Sequence, residues 1–285
     1  MKTFFDPASI AVIGASQREN SLGSQILVNL GLGFTGTVYP VNPNYAEIRS
    51  LPCYATVEDL PGPADLAIII VPAPFVPEAL AACGRKGIRR VIIESAGFAE
   101  TGPAGRALQE RCLAVARKAG IRLWGPNCMG LVDIPRKFFF TFMHPNIHRD
   151  GLIAGRISMV VQSGMLSAGF LADLMSERAM GIAKACSIGN KMDIDECDLL
   201  EYLLEDDETD AIALYLESIV RGRRFLELAD GAKKPIVLLK GGKSRSGAKA
   251  ALSHTSSLAG NARLQDSLLS LAGVTLARDF HQMME

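Results

Sequence analysis

The sequence predicts an α/β protein in which an N-terminal Rossmann-like domain is followed by a flavodoxin-like doubly wound domain. Three observations lead there. Short, continuously apolar runs rich in Val, Ile and Leu alternate with helical runs, as expected for parallel strands covered on both faces. The alternation occurs in two rounds, separated by a stretch with neither period. The 285 residues are also enough for two domains, each with its own core.

The first round places strands at 9–15 ("SIAVIGA"), 36–42, 66–72, 89–95 and 121–125. Helix patterns fall between them in "SLGSQILVNLGL", "PFVPEALAACGRKG" and "GRALQERCLAVARKAG". Residues 1–130 therefore read as one domain. Residues 131–152, with their prolines, glycine and basic residues, read as a linker. Residues 153–285 form the second round, with strands at 156–163, 183–190, 211–218, 235–242 and 273–277. Its intervening helices include "DECDLLEYLLED" and "RRFLELADGA".

Thirty basic residues balance thirty acidic ones, so no net field favours nucleic acid or anionic lipid as a partner. Proline breaks the longest apolar runs well short of the roughly 20 residues a membrane span needs. The N-terminus carries no signal-peptide pattern. Six scattered cysteines form no C-x-x-C pair, and no histidine spacing suits a metal. These features predict reduced thiols, no metal site and a cytoplasmic location.

Open sheets bind ligands at the carboxyl ends of their strands. The first strand ends at Gly14, followed by the polar turn Ser16, Gln17, Arg18 and Glu19 and then a helix. Such a turn either simply joins strand to helix or offers backbone amides to a phosphate. "PVNPN", "VPAPF", "ESAGF" and "GPNCMG", the last containing Asn127, gather at the same edge. Together they suggest a groove for an extended, phosphate-bearing ligand.

In the second round, Gln162, Ser163 and Gly164 stand between a strand and a helix, where exposed amides suit a phosphoryl group. Val161 replaces the glycine that a G-x-S-x-G nucleophile elbow needs, which argues against a serine hydrolase. Glu217 ends an apolar strand. There it either pairs with Arg221, Arg223 or Arg224 or accepts a hydrogen bond from an imidazole. His254 stands among small residues in "KAALSHTSSLAGN", as either a solvated loop residue or a working nucleophile.

The ordered motifs "VIGAS", "VYPVNPNY", "VPAPF", "GIRLWGPNCMG", "QSG", "SIGNKMDIDECDLLEYL", "LYLESI" and "SHTSSLAG" together resemble the NDP-forming acyl-CoA synthetases. That family includes the α subunit of succinyl-CoA synthetase and the ADP-forming acetyl-CoA synthetases. The resemblance implies a reaction in which a small carboxylic acid, CoA and ATP yield acyl-CoA, ADP and phosphate through an acyl phosphate. It implies that His254 carries the phosphoryl group, that Glu217 steadies the imidazole, and that Gln162, Ser163 and Gly164 receive the phosphate. CoA would contact Ser16 to Glu19, Asn44, Val71, Pro72, Ala73, Glu94, Ser95 and Ala96. No ATP-grasp pattern is found in the sequence. The resemblance therefore implies an oligomer with an ATP-grasp β-type subunit or domain that supplies the ATP and Mg sites.

Two other readings compete. A non-catalytic CoA-sensing module, as in the synthetase-like domains of some protein acetyltransferases, would not need His254 together with Glu217. An NAD-dependent dehydrogenase would need G-x-G-x-x-G and an acidic residue after "VYPVN", and both are missing.

Overall fold

The computed structural model describes residues 1–149, 152–177, 180–241 and 262–284. Its first half contains β1 (Ser9–Ile13), β2 (Thr37–Val41), β3 (Glu47–Ile48), β4 (Leu51–Pro52), β5 (Leu66–Ile69), β6 (Arg90–Ile93) and β7 (Arg122–Trp124). Four helices accompany them: α1 (Lys2–Phe5), α2 (Leu22–Leu30), α3 (Val76–Lys86) and α4 (Pro103–Ala119). The second half contains β8 (Leu131–Asp133), β9 (Phe138–Phe140), β10 (Ala154–Val161), β11 (Ile182–Ser187), β12 (Ala211–Leu216), β13 (Ile236–Lys240) and β14 (Thr275–Ala277). Its helices are α5 (Asn146–Arg149), α6 (Gly164–Glu177), α7 (Glu196–Glu205), α8 (Gly222–Asp230), α9 (Ala262–Leu271) and α10 (Phe280–Met284).

The first sheet runs β2-β1-β5-β6-β7, all parallel. The second runs β14-β13-β12-β10-β11-β8-β9. Its first five members are parallel, β8 runs antiparallel to β11, and β9 runs antiparallel to β8. Numbered by their parallel strands, both sheets have the order 2-1-3-4-5, that of a flavodoxin-like doubly wound sheet. The switch points therefore lie between β1 and β5 in one sheet and between β10 and β12 in the other. The central strand β1 is apolar inside, with Ile10, Ala11 and Val12 all at 0 % exposure.

Ten expected strands are present, with ends shifted by at most three residues, in places because apolar residues continue into a loop. Ile188, for example, is buried beyond the end of β11. The stretch 131–152 is not the plain linker expected from the sequence. Residues 131–140 instead form β8 and β9, joined by a turn in which Lys137 N–H donates to Ile134 C=O at 3.1 Å. Three-residue strands are too short to show a period. The charged member Asp133 is hidden beside buried Lys184 at 3.8 Å, and Lys184 also reaches Asp206 at 2.8 Å and Glu208 at 2.7 Å.

The sheets share a core. Phe4 and Phe5 of α1 pack on Trp124 of β7, with ring centroids 5.6 and 5.9 Å apart, and Phe5 stacks on Tyr202 of α7 at 4.1 Å. Buried Asn29 of α2 donates to Thr141 C=O at 2.7 Å and Met143 C=O at 2.8 Å, fastening the first half to the chain beyond β9. All six cysteines are free thiols. No helix among the described residues is long and apolar enough to cross a membrane.

Candidate functional site

The first switch point carries the glycine turn. Gly14 sits in the left-handed region at φ 97°, and a Cβ there would lie 2.9 Å from Ile70 C=O. A Cβ on Gly23, in the first turn of α2, would lie 2.1 Å from Gly14 C=O. Both positions need glycine so that the helix start can close onto the strand end. Ser21 caps α2 by accepting from Ser24 N–H at 3.3 Å. Within the turn, Ser16 Oγ accepts from Arg18 N–H at 3.0 Å, while Gln17 Nε2 donates to Glu47 C=O at 2.5 Å. Gln17, Arg18 and Glu19 are exposed, so their polar groups stand free of the core.

The neighbouring strand ends complete an edge. Exposed Asn44 donates its N–H to Asn42 Oδ1 at 2.9 Å, and Asn42 Nδ2 donates to Ala15 C=O at 2.7 Å. Val71 is half-buried, Pro72 exposed and Ala73 buried. Ser95 is buried, and its hydroxyl donates to Val71 C=O at 2.6 Å. Ala96 is the exposed member of its trio.

Glu94 is placed differently from its neighbours. It is 3 % exposed, and a Cβ on Gly130 would come within 2.4 Å of its Oε1, so its carboxyl lies in the junction rather than on the edge. Burial pushes that carboxyl well above its ordinary range, and the Phe142 N–H offsets only part of the effect. No other group among the described residues bonds to its two buried oxygens.

The second switch point joins the two elements singled out in the sequence. Gln162 follows β10 and is 4 % exposed. Its Oε1 accepts from Glu217 N–H at 2.8 Å and Ser218 N–H at 3.1 Å, locking the end of β12 to the start of α6. Ser163 caps α6, its Oγ accepting from Leu166 N–H at 3.4 Å and its C=O from Ser167 N–H at 2.9 Å. The remaining amides at this helix start carry the positive end of the helix dipole, suited to an anion. Lys240 Nζ donates to Glu217 C=O at 2.6 Å and fixes the same strand end from the other side.

The three arginines near Glu217 pair elsewhere: Arg221 with Asp195 at 2.6 Å, Arg223 with Glu227 at 3.6 Å and Arg224 with Glu201 at 2.5 Å. His254 lies outside the described residues.

The two edges meet across the chain at 125–130. Asn127 N–H donates to Ser95 C=O at 2.9 Å, and its side chain reaches Asn190 Oδ1 at 3.4 Å. Met129 packs beside Gly164, where a Cβ would lie 3.2 Å from its Cγ. A pocket of about 270 Å³ opens between the halves, lined by Glu100, Arg106 and Gln109 from one and by Gln162, Asn190 and Ser218 from the other.

Asn42, Glu100, Asn190 and Lys191 are site neighbours that the sequence reading did not single out. The last two stand in the motif "SIGNKMDID", whose presence was the available signal. Asp195, Glu196 and Cys197 bring ligand-type atoms within 4.8 Å of one another. Asp195, however, caps α7 and pairs with Arg221, while Glu196 pairs with Lys191.

The chain is thus built from two doubly wound sheets, each with an anion-suited turn at its switch point. Residues 8–133 match the family model described as a CoA binding domain, and residues 154–285 match the succinyl-CoA ligase like flavodoxin domain. The chain belongs to the NDP-forming acyl-CoA synthetase family.

It is 41 % identical over 283 residues to the acetate–CoA ligase (ADP-forming) II subunit alpha of Pyrococcus furiosus, covering 99 % of this chain and 60 % of that one. It is also 41 % identical over 287 residues to acetate–CoA ligase (ADP-forming) I of Archaeoglobus fulgidus, covering 100 % of this chain and 41 % of the relative. Among solved structures, the acetyl-coenzyme A synthetase 1 of Ca. Korarchaeum cryptofilum in complex with phosphate and ADP superposes with a TM-score of 0.93. That match has 35 % identity and covers 99 % of this chain and 60 % of the other. The chain thus spans between 41 % and 60 % of the lengths of these proteins.

Proposed function

We propose that this chain is the α-type portion of an ADP-forming acyl-CoA synthetase, acting with an ATP-grasp subunit or domain in the cytoplasm. The observation that carries the reading is the second switch point, where Gln162 clamps the strand end bearing Glu217 against the helix start at Ser163 and Gly164. The family's phosphoryl carrier falls on His254. A neutral imidazole, with an unperturbed pKa of about 6.5, is a competent nucleophile near neutral pH. Its nitrogen attacks the γ-phosphorus of ATP held by the partner domain, forming an N–P bond as ADP leaves. Glu217 accepts a hydrogen bond from the N–H of the other ring nitrogen and fixes the tautomer.

The phosphoryl group then passes to the carboxylate oxygen of the acid, and the N–P bond breaks. A carboxylate alone resists a thiol because oxide is a poor leaving group. The acyl phosphate instead releases phosphate when the CoA sulfur attacks. CoA lies along the first switch point and the exposed residues at 16–19, 44, 72 and 96. The Ser163–Gly164 amides hold the phosphate. The pocket between the halves gives the acyl group room where both edges meet. The site for ATP and Mg belongs to the partner, and ADP-forming relatives with an alpha subunit support that division.

A labelling experiment tests the reading. Incubated with acetyl phosphate labelled in its phosphoryl group, the wild-type chain should acquire acid-labile, base-stable label. His254→Ala should acquire none while still binding CoA. Equal labelling of the two proteins would refute the assignment of His254.

A further inference from the structure

The turn Gly189–Asn190–Lys191 after β11 supplies no group to a bond-making step of the proposed chemistry, yet it borders the pocket and is bonded to both edges of the site. Its backbone is pinned to the first half. Asn190 N–H donates to Pro126 C=O and Met192 N–H to Gly125 C=O, both at 2.9 Å. Contact is so close that a Cβ on Gly189 would lie 2.1 Å from Pro126 C=O. Lys191 adopts φ 54°, a left-handed conformation that costs a non-glycine residue about 1 kcal/mol and persists only where neighbours fix it.

The two side chains then diverge. Lys191 Nζ donates to Ser218 C=O at 2.7 Å and Ser218 Oγ at 3.1 Å, next to Glu217. Asn190 Nδ2 crosses to the first half, donating to Glu100 Oε2 at 2.6 Å and Gln109 Oε1 at 3.0 Å. Glu100 uses its other oxygen, Oε1, to accept from Gly97 N–H at 2.6 Å and Phe98 N–H at 3.0 Å. Those two amides follow directly on the exposed Ala96.

We propose that Asn190 is a positioning residue: through Glu100 it holds the Ser95–Phe98 loop in register with the strand end that carries Glu217. The inference rests on the CoA site proposed above. The geometry defines the polarity of the link, because Asn190 presents a donor and Glu100 must stay an acceptor toward three N–H groups at once. Burial opposes ionisation of Glu100, but bonds from Asn190, Gly97 and Phe98 outweigh it and hold the carboxyl below its ordinary range.

The test is an exchange of donor and acceptor, read as CoA affinity by calorimetry on the full chain. Asn190→Asp sets a carboxylate against Glu100 and should weaken CoA binding about tenfold, the scale of losing one charge-assisted hydrogen bond. Adding Glu100→Gln should restore affinity to within about threefold, since the new amide still accepts from Gly97 and Phe98 through its oxygen and donates to the aspartate. Should Asn190→Asp not fold, Asn190→Ser removes the link without repulsion and should show a smaller loss of the same kind.

Unchanged CoA affinity in a folded Asn190 variant, or failure of the second substitution to rescue, overturns the proposal. A merely structural Asn190 would shift the melting temperature while leaving affinity intact. Absence of CoA binding by the wild-type chain is a distinct result, which removes the CoA assignment itself and this inference with it.

Discussion

Single residues at this site act mainly by fixing backbone. Gln162 spends its amide oxygen on two N–H groups of the Glu217 strand end, so it fixes the backbone from which the carboxylate projects. Lys191 acts similarly but at higher stakes. Its ammonium and the Glu196 carboxylate, 2.8 Å apart, have side chains 2 % and 0 % exposed. Such a pair is weak evidence for net stability, yet removing one member strands a buried charge. Lys191→Met should therefore destabilise the chain by about 3–5 kcal/mol. A melting curve would show it, and the added substitution Glu196→Gln should recover part of the loss. A melting temperature unchanged by Lys191→Met would contradict this account of the pair.

At the scale of elements, β6 and the β8–β9 hairpin meet at Glu94, which makes the junction sensitive to pH. A carboxyl raised by burial keeps its proton to higher pH in the folded chain than in the unfolded one, where it ionises at about 4.3. Its stability contribution is full below that value and is lost as pH rises through the elevated folded pKa. Glu94→Gln should thus match wild type near pH 4 and melt progressively higher than it toward pH 8. The gap should grow by at most about 1.4 kcal/mol per pH unit. A constant difference across that range would show that Glu94 is not the titrating group.

The same junction marks the limit of what could be read from sequence. The ten parallel strands and most of the longer helices were legible because uninterrupted Val/Ile/Leu runs and 3.6-residue stripes repeat over many residues. The β8–β9 hairpin was not. Each strand is three residues long, and Asp133, normally a loop signal, is compensated by Lys184 from a strand about fifty positions away. The strand-end residues Gly14, Ser163 and Glu217 could be found because local pattern places them. The pairing of Asn190 with Glu100 could not, since it arises only when two sheets bring distant turns together. Glu94 reads from sequence as one of the groove's contacts because a sequence does not show which way a side chain turns at a strand end.

Across the whole molecule, the same strand order is used twice, and the two switch points are joined by the 125–130 crossing and the 189–191 turn. Each half alone offers a turn suited to phosphate. Their juxtaposition brings the two strand-end edges to one place, on either side of the pocket between the halves. The shared core around Phe4, Phe5 and Trp124 makes that juxtaposition a property of folding rather than of ligand binding.

The most direct test of the central claim is a single-turnover chase. Chain labelled on phosphorus by acetyl phosphate is freed of reagent, then mixed with CoA and a panel of short carboxylic acids that includes acetate, without nucleotide. The account predicts that at least one acid releases the label as inorganic phosphate, with one acyl-CoA formed per phosphate released. Release of phosphate without acyl-CoA, or label that no acid discharges, would contradict it.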